Sequence, residues 1–291
     1  MKTKETKKRI TKKCTLKKDK ISGEPAIRHM QNRWFLRIPH SKSLVALALL
    51  ASCSATLGCW QTRSMREARV LTIGCPACET VVLIHGLNRS SRAMKKMAAA
   101  LREDDYTVVI CDYPSRSATV EVLADNLFNV MKPQLDAAEK VHFVTHSMGG
   151  IMLRKWIEKN PLPNLGRVVM LGPPNAGSET VDKLRDYALF QWINGPAGGQ
   201  LGTPADSLPA TLARPSFKPG VIAGDRTINP FLSMMIPGKD DGKVSVERTK
   251  VKNMGDFICL HVTHACMMRN RKVIEQTKYF LKNGNFKIRK K

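Results

Sequence analysis

Short apolar runs alternate with amphipathic stretches along most of this 291-residue chain, from residue 80 onward. The apolar runs are rich in β-branched side chains, which is typical of buried strands. The stretches between them place apolar side chains at helical spacing, as in the first one, where Met94, Met97, Ala98 and Leu101 share a face. This alternation predicts an α/β fold with right-handed βαβ units and a mostly parallel central sheet covered by helices on both faces. The expected strands are TVVLI, YTVVICDY, VHFVT, GRVVMLG, KPGVIAG and FICLHV.

The second amphipathic stretch, ATVEVLADNLFNVMKPQL, predicts a helix that turns Val122, Leu123, Leu127 and Val130 inward. The last one, NRKVIEQTKYFLKNG, predicts a final helix closed by a glycine.

An insertion at residues 174–215 interrupts the alternation of strands and helices. It is rich in Gly and Pro but contains VDKLRDYALFQWI, which predicts one amphipathic helix carrying Tyr187, Phe190 and Trp192. An aromatic insertion between core strands favours a short lid or a wall of a substrate pocket. A core-packing helix within a long connection fits the same pattern equally well.

The net charge of +24 is concentrated near the ends of the chain. Residues 1–43 hold fourteen Lys and Arg against three acidic residues, and residues 287–291 form a basic tail. We expect residues 1–29 to be a disordered basic extension, because a run of like charges buries little apolar surface. The sequence lacks zinc-finger spacing, RNP-like motifs and basic–aromatic interleaving, so the basic ends favour solvated tails or an anionic membrane surface over nucleic acid.

Residues 30–59 have the order of a signal peptide, with basic residues, an apolar run from Leu44 to Ala51 and then small residues. The run is too short for a comfortable membrane span. LASC, which ends at Cys53, resembles the bacterial lipobox, in which the cysteine is acylated. An uncleaved anchor and a buried core helix are the alternatives. We therefore expect residues 60–79 to be a linker and the protein to reach the cell envelope as a membrane-attached lipoprotein or a secreted or periplasmic protein.

The stretch VHFVTHSMGG leaves a predicted strand, exposes a serine and continues into a predicted helix. A serine on so tight a strand-to-helix turn needs small residues two positions before and after it, as in the pattern G-x-S-x-G. Gly149 fulfils the second requirement, whereas Thr145 occupies the first position and departs from the strict pattern. Ser147 is therefore a candidate nucleophile, and a helix N-cap is the alternative role.

The stretch VVLIHGLNRS ends its predicted strand in His85 and Gly86. A backbone N–H after such a turn can point into the same cavity as the N–H that follows the nucleophile. The amides of Leu87 and Met148 are therefore candidate oxyanion donors. His85 is expected to be structural rather than a base, and we group it with Tyr187, Phe190 and Trp192 as candidate residues of the substrate pocket.

The segments HGL, THSMGG, LGPPNAGS, DDGKVSVE and THACMM, in this order, resemble the α/β-hydrolase superfamily. The resemblance covers residues 80–286 and is strongest to the bacterial lipase and esterase branch with a short inserted lid. In that superfamily the catalytic residues follow the chain order serine, acid, histidine. The resemblance implies that Asp241 is the acid and His264 the base.

The residues themselves allow alternatives for the base and the acid. His264 lies between a predicted strand and the last helix, hence on a loop at the carboxyl edge of the sheet. His261 is a rival, but it lies within the predicted strand and would point into the core or away from the site. Asp225 could serve if the acid followed the earlier strand, and Asp240 is the adjacent alternative.

These expectations predict a serine hydrolase that cleaves a small-molecule or lipid-like carboxylic ester through an acyl-enzyme on Ser147. The mechanism needs no cofactor, and no cluster of side chains has metal-ligand spacing. A membrane surface is an expected partner, whereas nucleic acid and an obligate protein partner are not. Acyl transfer or thioester cleavage would use the same groups, and an inactive binding module at the membrane is the alternative of a different class.

Overall fold

Seven strands form one sheet in the part of the chain that the computed structural model describes, residues 67–75 and 77–287. They are β1 (Arg69–Ile73), β2 (Thr80–Ile84), β3 (Thr107–Asp112), β4 (Val141–His146), β5 (Leu165–Leu171), β6 (Gly220–Gly224) and β7 (Asp256–Leu260). Their order across the sheet is β1-β3-β2-β4-β5-β6-β7. All neighbouring strands are parallel except β1, which pairs antiparallel with β3. The predicted α/β fold with a mostly parallel sheet is confirmed.

Helices connect the parallel strands and cover the sheet. A 3-10 turn, Ser91–Met94, precedes the first α-helix, and a 3-10 helix, His264–Arg269, precedes the last. The α-helices are α1 (Lys95–Arg102), α2 (Val120–Ala137), α3 (Met148–Ile157), α4 (Glu179–Leu184), α5 (Ala188–Gly199), α6 (Leu208–Thr211), α7 (Pro230–Ser233), α8 (Val246–Thr249) and α9 (Arg271–Asn283). Gly284, in the left-handed conformation with φ 82°, ends α9 as predicted.

The core has two apolar layers, one on each face of the sheet. Successive residues of β2 contribute to opposite layers, with Val82 and Ile84 in one and Val81 and Leu83 in the other. The first layer is completed by α2, α3 and the insertion, and the second by α1 and α9. Every residue of β2 and β4 is buried, as expected for central parallel strands.

The linker predicted for residues 60–79 requires a correction. Residues 69–73 form β1, an edge strand whose side chains are exposed or half-buried. Its apolar run is interrupted by Thr72 and is shorter than the runs by which the central strands are recognised. Residues 60–66, the predicted basic extension and the predicted signal segment with Cys53 lie outside the described residues.

The inward face of α2 also differs from the prediction. Leu123 and Leu127 are buried, whereas Val122 and Val130 are exposed. The buried face repeats Val120, Leu123, Leu127 and Met131 at intervals of three and four, so the two valines fall on the opposite side.

The insertion between β5 and β6 contains a break that its apolar spacing does not reveal. The single helix predicted over VDKLRDYALFQWI is two helices, α4 and α5, separated at residues 185–187. Gly195 then kinks α5 with φ 63°, where a Cβ would lie 2.0 Å from the carbonyl oxygen of Arg116. Side-chain bonds hold the insertion to α2, because the Gln200 amide accepts from Val120 N–H at 2.7 Å and donates to Glu121 at 2.9 Å. Among the described residues, none of the helices combines the length and apolarity needed to cross a bilayer.

Candidate active site

Ser147 lies on the turn between β4, the central strand, and α3. Its backbone has φ 52° and ψ −124°, a strained conformation for a residue with a side chain. Gly149 makes this turn possible, because a Cβ there would lie 2.8 Å from the carbonyl oxygens of Ile84 and His85. The strained backbone holds the Ser147 hydroxyl at the carboxyl edge of the sheet, where it remains partly accessible.

His264 reaches Ser147 from the segment that follows β7. Its Nε2 lies 3.0 Å from the Ser147 Oγ, and its side chain is buried. His264 begins the 3-10 helix, and its backbone N–H donates to the carbonyl oxygen of Asp241 at 2.9 Å. Backbone and side chain together fix the imidazole against the serine hydroxyl.

Asp241 holds the other nitrogen of the same imidazole. Its Oδ2 lies 2.7 Å from His264 Nδ1, while its Oδ1 accepts the N–H groups of Lys243 and Val244 at 3.0 and 2.9 Å. The carboxylate is buried and each of its oxygens has a partner. With the proton on Nδ1, Nε2 is left with a lone pair directed at the serine hydroxyl. Serine, histidine and aspartate therefore form one continuous hydrogen-bonded chain.

The rival residues lie outside this chain. His261 follows β7 instead of lying within it, and it is exposed. Its Nδ1 pairs with Asp225 Oδ1 at 3.0 Å. Asp240 is buried and accepts the N–H of Gly242 and the hydroxyl of Ser233. The structure thus pairs His261 with Asp225, while Asp241 and His264 meet at Ser147.

The turn after β2 lies directly against Ser147. A Cβ on Gly86 would be 2.9 Å from the Ser147 Cβ, so the backbone carrying the Leu87 amide passes beside the hydroxyl. Met148 is the first residue of α3, where backbone N–H groups have no intrahelical acceptor. Both candidate oxyanion amides therefore belong to segments that border Ser147.

Comparisons with known proteins agree with this architecture. The mature lipase BlEst2 of Bacillus licheniformis superposes with a TM-score of 0.56 at 20% identity, over 74% of this chain and 97% of the lipase. A monoacylglycerol lipase from Paleococcus ferrophilus matches with a TM-score of 0.51 at 17% identity, over 75% of this chain and 98% of that protein. The chain has the α/β-hydrolase fold.

Sequence comparison adds a family match over the N-terminal part of the domain with the α/β-hydrolase fold. The family model for palmitoyl protein thioesterase matches residues 80–208. This segment includes the turn after β2 and the turn that carries Ser147, but it ends before Asp241 and His264. No curated protein sequence matches the chain.

The expectation that His85 contacts substrate is wrong, because this side chain is completely buried in the hydrolase domain. Its Nδ1 donates to the Gly86 carbonyl at 2.9 Å, and its ring stacks on Tyr113 at 4.2 Å. The Tyr113 hydroxyl in turn donates to the His85 carbonyl at 2.7 Å. Burial lowers the pKa of His85 to about 4. A neutral His85 therefore holds the backbone of the turn that carries Leu87.

The three aromatic residues of the insertion occupy different environments. Phe190 is buried in the core, which corrects its assignment to a substrate pocket, whereas Tyr187 and Trp192 are exposed. The insertion reaches the site instead through Asn194, whose Oδ1 accepts from the Asn88 side chain at 2.8 Å. Asn88 has φ 56° on the turn after β2. This pair was not predicted from the sequence. Its one signal was Asn88 close to the His-Gly turn, because asparagine tolerates the left-handed backbone conformation better than most residues.

A second buried histidine supports the loop of His264. His146 Nε2 donates to the His264 carbonyl oxygen at 3.0 Å. Complete burial holds the pKa of His146 well below its ordinary value, and the nearby His264 adds to this effect. His146 therefore stays neutral and positions His264. Its place between Thr145 and Ser147 was the only sequence signal for this role.

Arg154 links α3, the helix that follows Ser147, to both ends of the insertion. It is buried on α3 and donates to the side chain of Asn175 at 3.0 Å and to the carbonyl of Ala213 at 3.1 Å. Burial lowers its pKa to about 10, so it keeps its charge at neutral pH. The guanidinium therefore holds residues 175 and 213 to the helix that begins directly after Ser147.

Proposed function

We propose that this chain is a serine hydrolase that cleaves carboxylic esters through an acyl-enzyme on Ser147. The observation that carries the proposal is the continuous chain from Asp241 to His264 to Ser147, with distances of 2.7 and 3.0 Å. Each member follows a different strand, so their meeting at one edge of the sheet is a property of the fold and not of one local sequence.

The first half of the reaction follows from this geometry. His264 Nε2 takes the hydroxyl proton as the Ser147 oxygen attacks the carbonyl carbon of the ester. The amides of Leu87 and Met148 stabilise the negative oxygen of the tetrahedral intermediate. Asp241 stabilises the imidazolium. The intermediate then collapses, the proton passes from Nε2 to the leaving alcohol, and the acyl group stays on Ser147.

Water completes the cycle by the reverse use of the same groups. His264 removes a proton from the water molecule, whose oxygen attacks the acyl carbon. The second tetrahedral intermediate collapses, the ester bond to Ser147 breaks, and the serine oxygen recovers the proton from His264. The products are a carboxylic acid and free enzyme.

Thioester cleavage is a second candidate for the same site. It is favoured by the family model for palmitoyl protein thioesterase, which matches the segment that includes Ser147. A thiolate replaces the alkoxide as leaving group, and acyl transfer to an alcohol instead of water would use the same acyl-enzyme. A lipid-like acyl chain is the substrate class that this match favours for either bond.

Attachment to the cell envelope is part of the proposal. The signal-like segment, with acylation at Cys53 as its preferred outcome, would hold the domain near lipid. Mass measurement of the mature chain tests this part separately. A lipid-modified N-terminal cysteine supports it, and an unmodified N-terminus at Met1 contradicts it.

The activity itself is tested with p-nitrophenyl esters of increasing acyl length and an acyl thioester of matched length. Wild type should hydrolyse at least one series, with a kcat/KM for Ser147→Ala or His264→Ala reduced by roughly 10⁴- to 10⁶-fold. The ratio of ester to thioester turnover distinguishes the two candidates. Wild type without any turnover, in a folded state, would favour the inactive binding module.

A further inference from the structure

Exposed apolar side chains are concentrated on two connections at the edge of the sheet that carries Ser147. Among the described residues, nine large apolar side chains are exposed, and six of them lie in the connections that follow β5 and β6. Single exposed apolar residues are ordinary, but such a concentration marks an interaction surface. The most exposed of these six are Met234 (82%), Ile228 (74%), Trp192 (66%) and Phe231 (58%).

Three of these side chains lie on residues 226–239, which we call the docking loop. The loop is ordered by its own hydrogen bonds: Asn229 caps α7 by accepting the Leu232 N–H at 3.2 Å, and Thr227 accepts the Asn229 N–H at 3.1 Å. Phe231 lies within α7 and Met234 is its C-cap three residues later, which places these two side chains at neighbouring positions of one helical turn, while Ile228 lies just before the N-cap. The loop therefore presents a fixed apolar face to solvent.

The exposed charge of the docking loop is positive. Arg226 and Lys239 lie at its two ends, are exposed, and form no ion pair with another described residue. The loop contains no acidic residue. The acids that flank it are engaged, because Asp225 pairs with His261 and Asp240 is buried. A solvent-facing apolar surface with basic margins complements an anionic lipid surface.

We propose that the docking loop inserts Ile228, Phe231 and Met234 into an anionic phospholipid bilayer, with Arg226 and Lys239 among the headgroups. The net charge of +24 favours the same partner. As a route to lipid esters this inference rests on the proposed function, but insertion itself requires no turnover. The loop is followed by Asp240 and Asp241, and Asp241 is hydrogen-bonded to the His264 that contacts Ser147, so insertion would turn the Ser147 edge of the sheet toward the bilayer.

The test measures partitioning of the full chain onto vesicles by co-sedimentation. All variants carry Ser147→Ala, so that turnover cannot change the vesicles, and all share the same N-terminal segment. On vesicles of phosphatidylglycerol and phosphatidylcholine, Phe231→Asp with Met234→Asp should lower the partition coefficient at least about tenfold. The matched control, Val122→Asp with Val130→Asp, changes two exposed apolar residues on α2 and should stay within about twofold of the parent.

A second variant tests the charge without touching the apolar face. Arg226→Gln with Lys239→Gln should lower partitioning onto anionic vesicles by about tenfold and leave binding to pure phosphatidylcholine unchanged. Both side chains are exposed, so this variant should fold as the parent does.

The outcomes separate docking from catalysis. Equal partitioning of the docking-loop variants and the control overturns the inference. It is also overturned if sedimentation equilibrium shows a dimer that Phe231→Asp with Met234→Asp dissociates while vesicle binding is unchanged, because the face would then bind a second copy of the chain. Because every variant carries Ser147→Ala, loss of vesicle binding confined to the docking-loop variants supports docking whatever the activity of the protein with Ser147, and a lack of ester turnover in wild type would contradict only the proposed hydrolysis.

Discussion

At the residue scale, two aspartate–histidine pairs lie at the ends of β6 and β7. Asp241 with His264 and Asp225 with His261 have similar separations, 2.7 and 3.0 Å. They differ in what the second imidazole nitrogen meets, because only His264 has the Ser147 hydroxyl within reach. We therefore propose that the pair that includes His264 is the catalytic one.

Replacing one acid at a time distinguishes the two pairs. Asp241→Asn should lower kcat by about 10⁴-fold, because the amide no longer selects the tautomer with the proton on Nδ1. Asp225→Asn should leave kcat within about twofold of wild type. Steady-state hydrolysis of a p-nitrophenyl ester measures both. The reverse ranking would move the acid to Asp225.

The buried neutral histidines predict a loss of stability in acid. The pKa of His85 is lowered to about 4 in the folded state, against an ordinary value near 6.5 in the unfolded chain. Between these values the unfolded state binds more protons, so stability falls as pH drops from about 6.5 toward 4. His142 and His146 have pKa values lowered in the same direction, mainly by burial.

Urea unfolding at pH 7 and pH 5 measures this effect. His85 alone should remove about 2 kcal/mol from the free energy of unfolding of wild type between these two pH values. In His85→Gln that part of the pH dependence should disappear, whatever the variant's stability at pH 7. An identical loss in both proteins would contradict the assignment of a neutral buried His85.

At the element scale, the turn after β2 packs closely against the turn after β4, and Gly86 leaves room for this contact because it has no side chain. Gly86→Ala would put a Cβ 2.9 Å from the Ser147 Cβ and from His146 Nδ1. The turn that carries the Leu87 amide would shift, and kcat should fall by about 10²- to 10³-fold, as for loss of one oxyanion donor.

The matched control for this variant is Gly199→Ala in α5. A Cβ at Gly199 would have no atom within 4 Å, so kcat should remain near that of wild type. Circular dichroism before the assay checks that both variants are folded. A Gly86→Ala protein with full activity would show that the turn after β2 contributes no donor.

The same scale shows how far sequence reasoning reaches. Strands β2 to β6 were predictable because their buried stretches demand continuous apolar runs, and Ser147 because a tight turn demands small neighbours. The edge strand β7 was predictable from its apolar run, although most of its residues are only half-buried. Strand β1 was missed because its side chains are half-exposed, and the break at residues 185–187 because apolar spacing continues through it. The partners Asp241 and His264 came from resemblance, since nothing local in either segment specifies the other.

Contacts between distant segments explain the remaining misses. His85 was grouped with the substrate pocket, but its environment is set by Tyr113, 28 residues further along the chain. Phe190 could be recognised as apolar, whereas its burial depends on how α5 packs against the core. Such information exists only after the chain has folded.

At the scale of the whole molecule, hydrogen bonds from Arg154 connect α3 to the insertion. Arg154→Met should lower the free energy of unfolding by about 3 kcal/mol, because Asn175 and the carbonyls of residues 212 and 213 lose a buried charged donor. Lys155→Met, at the next position, removes only a solvent-screened contact with Glu158 at 3.6 Å and should cost less than about 1 kcal/mol.

Urea denaturation followed by circular dichroism measures both variants. Equal stability of Arg154→Met and Lys155→Met would contradict the role of the buried guanidinium. A partial transition confined to the insertion in Arg154→Met would instead support this coupling, because residues 175 and 213 mark the two ends of that segment.

The central claim is that the Ser147 hydroxyl is an activated nucleophile, and covalent labelling tests it most directly. Treatment of the folded chain with a fluorophosphonate, followed by peptide mass spectrometry, should find one adduct, on Ser147. Labelling should disappear in Ser147→Ala and slow by several orders of magnitude in His264→Ala. A wild-type protein that stays unlabelled, or that is labelled at another serine, would contradict the account.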